Sequence, residues 1–319
     1  MKVLVTGGAG FIGSNFVNQF AQGNYPEISE ILVIDKLTYA GKKENLEPAL
    51  MDPMVSFVHG DICDFSLVND LVAKVDAIIN FAAESHVDRS IESSAEFVRT
   101  NILGAQTLLD AAKKHKIDTF LQVSTDEVYG SIASGSWDES SPLLPNSPYS
   151  ASKAAADLLV RSYNVTHGLK TIVTRCSNNY GPRQYPEKLI PLFVNRLLAG
   201  EKVPVYGDGG NIRDWLHVND HCKGIYIAMT KGKSGEIYNI GGGTELTNIS
   251  LTKEIIHLMA FDDDRIEFVA DRLGHDQRYS VAWSKIQQLG YEPTQDFQNG
   301  LEETINWICN DVRNPKDAG

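Results

Sequence analysis

The stretch STDEVYG, positions 124–130, sets two carboxylates, Asp126 and Glu127, beside the Thr125 hydroxyl. Close like charges resist joint ionisation, so such a pair can hold opposite protonation states and act as acid and base. The simpler use of the pair is to satisfy free N–H groups at a helix start. Further on, Tyr149 and Lys153 stand in YSASK, four residues apart. On a helix that spacing puts both on one face. Tyrosine is a poor base at neutral pH, its unperturbed pKa being ~10, and a nearby ammonium is expected to favour the phenolate. A solvated Tyr/Lys pair is the plain alternative.

These groups need elements to hold them. The apolar runs KVLVTG, EILVID, VSFVHGD, DAIINFAA, TFLQVST and KTIVTR read as strands. Helical patterns lie between them: SNFVNQFAQ, SLVNDLVAK, NILGAQTLLDAAKKH and SASKAAADLLVRSYNVTHG. Strands apolar on both faces, alternating with helices, predict an α/β fold, a doubly wound parallel sheet. After about residue 177 loops interrupt shorter elements. We expect a dinucleotide-binding domain over 1–177, with segments returning to it near 213–243, and a smaller substrate domain over 178–319. The Ser- and Pro-rich stretch 131–148 reads as a long loop over the site.

Between the first strand and first helix stands GGAGFIG, with Gly7, Gly10 and Gly13. Such a loop turns tightly, lets a pyrophosphate approach the backbone, and presents helix N–H groups to it. Its place between strand and helix predicts dinucleotide binding. Asp35 ends the second strand, where a carboxylate accepts from an adenosine ribose and repels a 2′-phosphate, so NAD is expected over NADP. The adjacent Lys36 weakens that charge argument. Asp61, after the third strand, reads either as an adenine contact or as the N-cap of the helix in DFSLVNDLV.

Composition narrows the partners. The chain has 319 residues, 42% of them apolar, and a net charge of −12. That charge argues against nucleic acid and anionic membrane as partners, and an anionic substrate needs a local basic pocket. Cys63, Cys176, Cys222 and Cys309 form no CxxC pair, which predicts reduced thiols in a cytoplasmic protein. The start MKVLVTGG shows no secretory pattern, and no apolar run approaches the ~20 residues of a membrane span. None of the histidines forms a metal-ligand spacing, so no metal is expected.

Together, GGAGFIG, Asp35, STDEVYG and YSASK resemble the extended short-chain dehydrogenase/reductases. More narrowly, with AAESHVDRS, CSNNYGP, PEKLIP, IRDWLHV and DRLGHDQRY, the chain resembles the dTDP-glucose 4,6-dehydratases along nearly its whole length. TDE before VYG is the specific part. The resemblance implies dehydration of a nucleotide-activated hexose, with a hydride passing from C4 to NAD and back to C6. Tyr149 would take the 4-hydroxyl proton, with Thr125 orienting that oxygen. Glu127 would take the C5 proton and Asp126 would protonate the departing 6-hydroxyl. An epimerase or decarboxylase on this scaffold needs Tyr149 and Lys153 but not both carboxylates. A non-catalytic NAD-binding protein would tolerate Tyr149→Phe without functional loss, and the intact tyrosine, lysine and carboxylates argue against it.

The resemblance also implies a cofactor set: Gly7, Gly10, Phe11, Ile12, Gly13, Asp35, Lys36, Thr38, Asp61, Ile62, Ala82, Ala83, Ser85, Thr100, Tyr149, Lys153 and Asn179. For the nucleotide-diphosphate sugar it implies Ser85, Thr125, Asn178, Lys188, Leu189, Pro204, Tyr206, Arg213, Asn248, Arg272, His275 and Tyr279. Arg278 is a further cation to weigh for the diphosphate. Thymidine and uridine both fit these residues. Arg183 and Gln184 depart from the family pattern, and the short SIASGSWDE predicts a smaller lid. The helices NILGAQTLLDAAKKH and SASKAAADLLVRSY would pair in a homodimer, or simply cover the sheet.

Overall fold

The computed structural model describes residues 1–313; the end of the expected second domain, 314–319, lies outside the described residues. The first half alternates as predicted: β1 (Lys2–Thr6), α1 (Phe11–Ala21), β2 (Glu30–Asp35), β3 (Val55–His59), α2 (Phe65–Val72) and β4 (Ala77–Asn80). Next come α3 (Val87–Glu92), α4 (Ala95–Phe97), α5 (Ala105–His115), β5 (Thr119–Thr125), α6 (Pro148–His167) and β6 (Thr171–Cys176). The helix expected over NILGAQTLLDAAKKH is regular only from Ala105, because a π-helical stretch, Val98–Gly104, precedes it.

The remainder contains β7 (Asn178–Tyr180), α7 (Leu189–Leu198), β8 (Val203–Tyr206), β9 (Ile212–His217), α8 (Val218–Lys231) and β10 (Ile237–Ile240). It continues through β11 (Glu245–Thr247), α9 (Asn248–Leu258), β12 (Ile266–Val269), α10 (Ser284–Gln287) and α11 (Phe297–Arg313).

The main sheet is parallel, in the order β10-β6-β5-β4-β1-β2-β3. One face is packed by α1 and α8, through Phe16, Val17, Cys222 and Ile225. The other is packed by α2, α5 and α6, through Val68, Leu71, Leu108, Leu109 and Val160. Burial on both faces is why these strands read as unbroken apolar runs. Strand order reverses between β1 and β4, which opens a crevice at the strands' carboxyl ends. A separate core unites α7, α9 and α11 through residues such as Phe193, Ile255 and Leu301, beside the β11-β9-β7 and β12-β8 sheets.

Local chemistry sets the ends that matter. Ser147 and Ser150 form a capping box and Pro148 opens α6, so Tyr149 and Lys153 fall in its first turns. At the end of β5 the Thr125 hydroxyl accepts from the Glu127 N–H at 3.2 Å and caps a 3-10 turn, Asp126–Tyr129. The acid pair therefore does start a helical turn, and that turn aims it into the crevice.

Candidate active site

One cleft at the carboxyl ends of the strands is lined by Thr125, Asp126, Glu127, Tyr149 and Lys153. Gly7, Gly10, Phe11, Ile12, Gly13, Asp35, Lys36, Thr38, Asp61, Ile62, Ala82, Ala83, Ser85, Thr100 and Asn179 line the same cleft. The three loop glycines differ in purpose. A Cβ on Gly7 would lie 2.6 Å from the Ala82 nitrogen, and one on Gly13 would lie 2.4 Å from the Gly7 carbonyl oxygen, so both are needed for packing. At Gly10 a Cβ would meet only that carbonyl oxygen, at 3.3 Å, so its open side faces the cleft. Gly10 caps α1 without a side-chain acceptor, leaving the helix N-terminus to an anion.

Asp35 clamps this loop. Its oxygens accept from Ala9 N–H at 2.9 Å and Leu37 N–H at 2.8 Å, and burial raises its pKa. Lys36 is neutralised by Asp61 at 2.9 Å, which removes the cation that weakened the case for NAD. The N-cap of α2 is Asp64, whose side chain accepts from Leu67 N–H; Asp61 is not the cap. These residues fit a dinucleotide: an open helix N-terminus, a ribose-side carboxylate, and buried polar atoms without a protein partner. Those atoms are Ser124 Oγ, Asp126 Oδ2 and Asn178 Oδ1, on residues that all line the cleft.

The two acids are adjacent but unlike. Burial, then Glu127 and Asp214, push Asp126 well above the usual carboxylate range, with Arg213 and the Thr125 hydroxyl opposing. Burial also raises Glu127, but Lys188, Arg213 and Arg272 pull it back. The surroundings thus favour the protonated form more strongly at Asp126 than at Glu127.

The expectation for Lys153 needs correction. Its ammonium donates to the Val123 carbonyl at 2.6 Å, and burial lowers its pKa while Asp157 opposes. Without a cofactor's charge, burial, Glu127, Cys176 and Asp126 raise the Tyr149 pKa well above normal, with the Thr125 hydroxyl opposing, so Lys153 alone does not supply the phenolate and the positive nicotinamide must contribute. The tyrosine faces two acids, and its lysine is turned to the β5 backbone.

The substrate residues divide. Ser85, Thr125, Asn178 and Lys188 line the cleft, with the Lys188 ammonium donating to the Ser85 carbonyl at 2.8 Å. Pro204, Tyr206, Arg213, Asn248, Arg272, His275 and Tyr279 do not line it, but several meet one another. Arg213 lies 4.4 Å over the Tyr279 ring, and Tyr206 meets His275 edge-on at 6.1 Å. Pro204 sits in β8 paired with β12, and Asn248 opens α9 with its Oδ1 buried and unpartnered.

Three further expectations are corrected. Leu189 packs on the second core and does not face the cleft. Arg278 is held by Glu245 at 2.7 and 2.9 Å and by the Gly135 carbonyl at 2.8 Å, so its guanidinium is committed to the fold. None of the loop 131–148 lines this cleft. It is strapped to residues 278–282: Trp137 N–H donates to Ser280 O at 2.9 Å, and Ala282 N–H to Trp137 O at 2.8 Å.

Sequence reasoning missed several residues that only the tertiary fold brings here. Asn101 ties the Glu84 backbone to Ser152, beside Lys153, through bonds of 2.8–3.0 Å. Arg89 stacks 3.9 Å over Tyr39 and pairs with Glu187 at 3.0 Å, joining two loops at the rim of the cleft. Of the two residues expected only as departures from the family pattern, Gln184 lines the cleft and donates to the Asn179 carbonyl at 2.8 Å, while Arg183 donates to Asn15 at 3.2 Å.

Residues 4–304 match the family model described as GDP-mannose 4,6 dehydratase. A dTDP-glucose 4,6-dehydratase of Actinoplanes sp. is 57% identical over 96% of this chain and 97% of its own length. The chain belongs to the dTDP-glucose 4,6-dehydratase family. Its fold agrees with that of DesIV, a dTDP-glucose 4,6-dehydratase from Streptomyces venezuelae solved with NAD and TYD bound. The TM-score is 0.97 at 54% identity, covering 98% of both chains. A UDP-glucose 4-epimerase of Thermotoga maritima shares the scaffold at a TM-score of 0.89 and 30% identity, covering 98% of this chain and 100% of that one.

Proposed function

We propose that this protein is an NAD-dependent hydro-lyase that converts dTDP-glucose to dTDP-4-keto-6-deoxyglucose and water. The observation that carries this reading is the convergence of Tyr149, Asp126 and Glu127, two carboxyls in unlike surroundings, on one cleft shared with the glycine loop. When bound, NAD would supply the hydride acceptor for C4 and the hydride donor for C6, and its positive charge would favour the Tyr149 phenolate. Tyr149 accepts the 4-hydroxyl proton, with Thr125 orienting the oxygen. The 4-ketone acidifies C5–H; Glu127 removes that proton and later returns it to C5, so that the product keeps its C5–H. Asp126 donates its proton to the 6-hydroxyl, which leaves as water. An epimerase needs no buried acid at Asp126, so the raised pKa favours the dehydratase.

Lys188, Arg213 and Arg272 surround Glu127 electrostatically and supply the local basic pocket that an acidic protein needs for a diphosphate. Tyr206 and His275 offer an aromatic wall for the base. Asp35 and the Lys36–Asp61 pair favour NAD over NADP. We further propose a homodimer through the π-helical stretch, α5 and α6, where Leu103, Leu158 and Val165 are exposed. The proposed division is a sheet unit over 1–177 with returning segments, and a substrate unit beyond. Four free, dispersed cysteines fit a cytoplasmic setting, and among the described residues no helix is long and apolar enough to cross a membrane.

The test is incubation of purified protein with dTDP-glucose and, separately, UDP-glucose. Loss of one water by mass and alkaline absorbance of a keto-sugar are expected with the first. Unchanged mass with both sugars would overturn the reading.

A further inference from the structure

Three cations act on the Glu127 carboxylate, and each is held differently. Lys188 donates to the neutral Ser85 carbonyl at 2.8 Å. Arg213 donates to the carbonyls of Ile212 and Asp276 at 2.7 and 2.8 Å. Of the three, Arg272 is the one held by a carboxylate: its guanidinium lies 3.5 Å from Oδ1 of Asp88. The Arg272 Nε is buried with no partner. Asp88 belongs to α3, after the fourth strand of the parallel sheet, whereas Arg272 follows β12 of the other unit. The pair therefore bridges the two halves that flank the cleft.

A guanidinium offers five N–H donors in a planar fork suited to bidentate anions. One contact at 3.5 Å and an orphaned Nε use little of that capacity, so Arg272 has room for a better anion than Asp88. Asp88 is also a fixed negative charge beside Lys188, which lines the cleft, and Arg272, two of the cations proposed for the diphosphate. Lys188 and Arg213 can turn from carbonyls to phosphate without leaving a carboxylate behind. Arg272 cannot, because a phosphate on its fork must displace Asp88 or sit against it.

We propose that Asp88 competes with the substrate's diphosphate for Arg272, and so limits how tightly the nucleotide diphosphate is held. This rests on the nucleotide-sugar reading of the site. Asp88 acts through Arg272, not on the hexose. It trades affinity for release of a product that carries the same diphosphate.

The test is calorimetric titration of the NAD-loaded protein with dTDP, using wild type, Asp88→Asn, Arg272→Gln and the double variant. The Asp88 side chain is 38% exposed, and the bound NAD content of each variant checks its fold. Asp88→Asn should bind dTDP about two- to fivefold more tightly at low ionic strength, the scale of a partly exposed ion pair. The gain should shrink as salt is added. It should vanish in the Arg272→Gln background, since the competitor acts through that fork. Equal or weaker binding by Asp88→Asn overturns the inference, as does a gain that persists without Arg272. Wild-type protein that binds no dTDP overturns the nucleotide-sugar reading and this inference with it. Wild type that binds while Asp88→Asn gains nothing overturns the inference alone.

Discussion

Asp126 and Glu127 are consecutive residues held in opposite electrostatic surroundings. Asp126 is buried toward another carboxylate, Asp214, whose oxygens accept from Ser177, Gly242 and Thr244 at 2.5–3.0 Å. Glu127 faces three cations. A single peptide step thus separates two carboxyls in unlike surroundings, both on the 3-10 turn capped by Thr125.

Replacing the acid tests its role directly. Asp126→Asn should lower kcat by about 10²–10⁴-fold, the usual loss for a general acid. A substrate with fluoride at C6 leaves without protonation, so the same variant should be much less impaired on it. Equal slowing on both sugars, in steady-state kinetics, would contradict the acid role.

Glu127→Gln should still oxidise C4 but not lose the C5 proton. The near-ultraviolet absorbance of the reduced cofactor should rise on adding substrate and persist. Solvent deuterium should not enter C5, read by mass or NMR. Normal turnover would mean that another base is at work.

The cations make a prediction with a definite sign. Lys188 is the first among those that hold the Glu127 pKa down. Lys188→Met removes that charge, so the Glu127 pKa rises further. The base form is then lost at a higher pH, and the acidic limb of the kcat profile should move to higher pH. A limb that stays put would place the controlling ionisation elsewhere.

Behind the site, Arg175 and Asp157 form an almost fully buried ion pair at 2.9 Å. Removing one partner strands the other charge. Arg175→Met should cost about 3–5 kcal/mol in denaturant unfolding, whereas replacing both residues by apolar ones of similar volume should be far milder. A loss below about 1 kcal/mol for the single variant would show that water reaches the pair.

Much of this molecule is written locally. The β1–α1 loop, the strand ends at Asp35 and Thr125, and the Tyr149–Lys153 spacing all lie within short windows. Strand alternation and helix periodicity are short-range regularities, so the parallel sheet was legible from them. The expected cofactor residues line one cleft because most follow successive strands whose carboxyl ends the parallel topology must bring together. The edge strand β10 was less legible, since IYNI is brief and follows a long excursion through the other unit.

The sequence by itself determined the fold class, the glycine loop and which residue types could do acid and base chemistry. Only the tertiary structure decided how unlike the surroundings of the two carboxyls are, because Asp214, Lys188, Arg213 and Arg272 reach the pair from distant segments. It also committed Arg278 to Glu245, strapped 131–148 away from the cleft, and turned Lys153 to the Val123 carbonyl. Spacing along a chain constrains which side chains share a face. Protonation depends on burial and on charges brought in through space, and those exist only once the chain has folded.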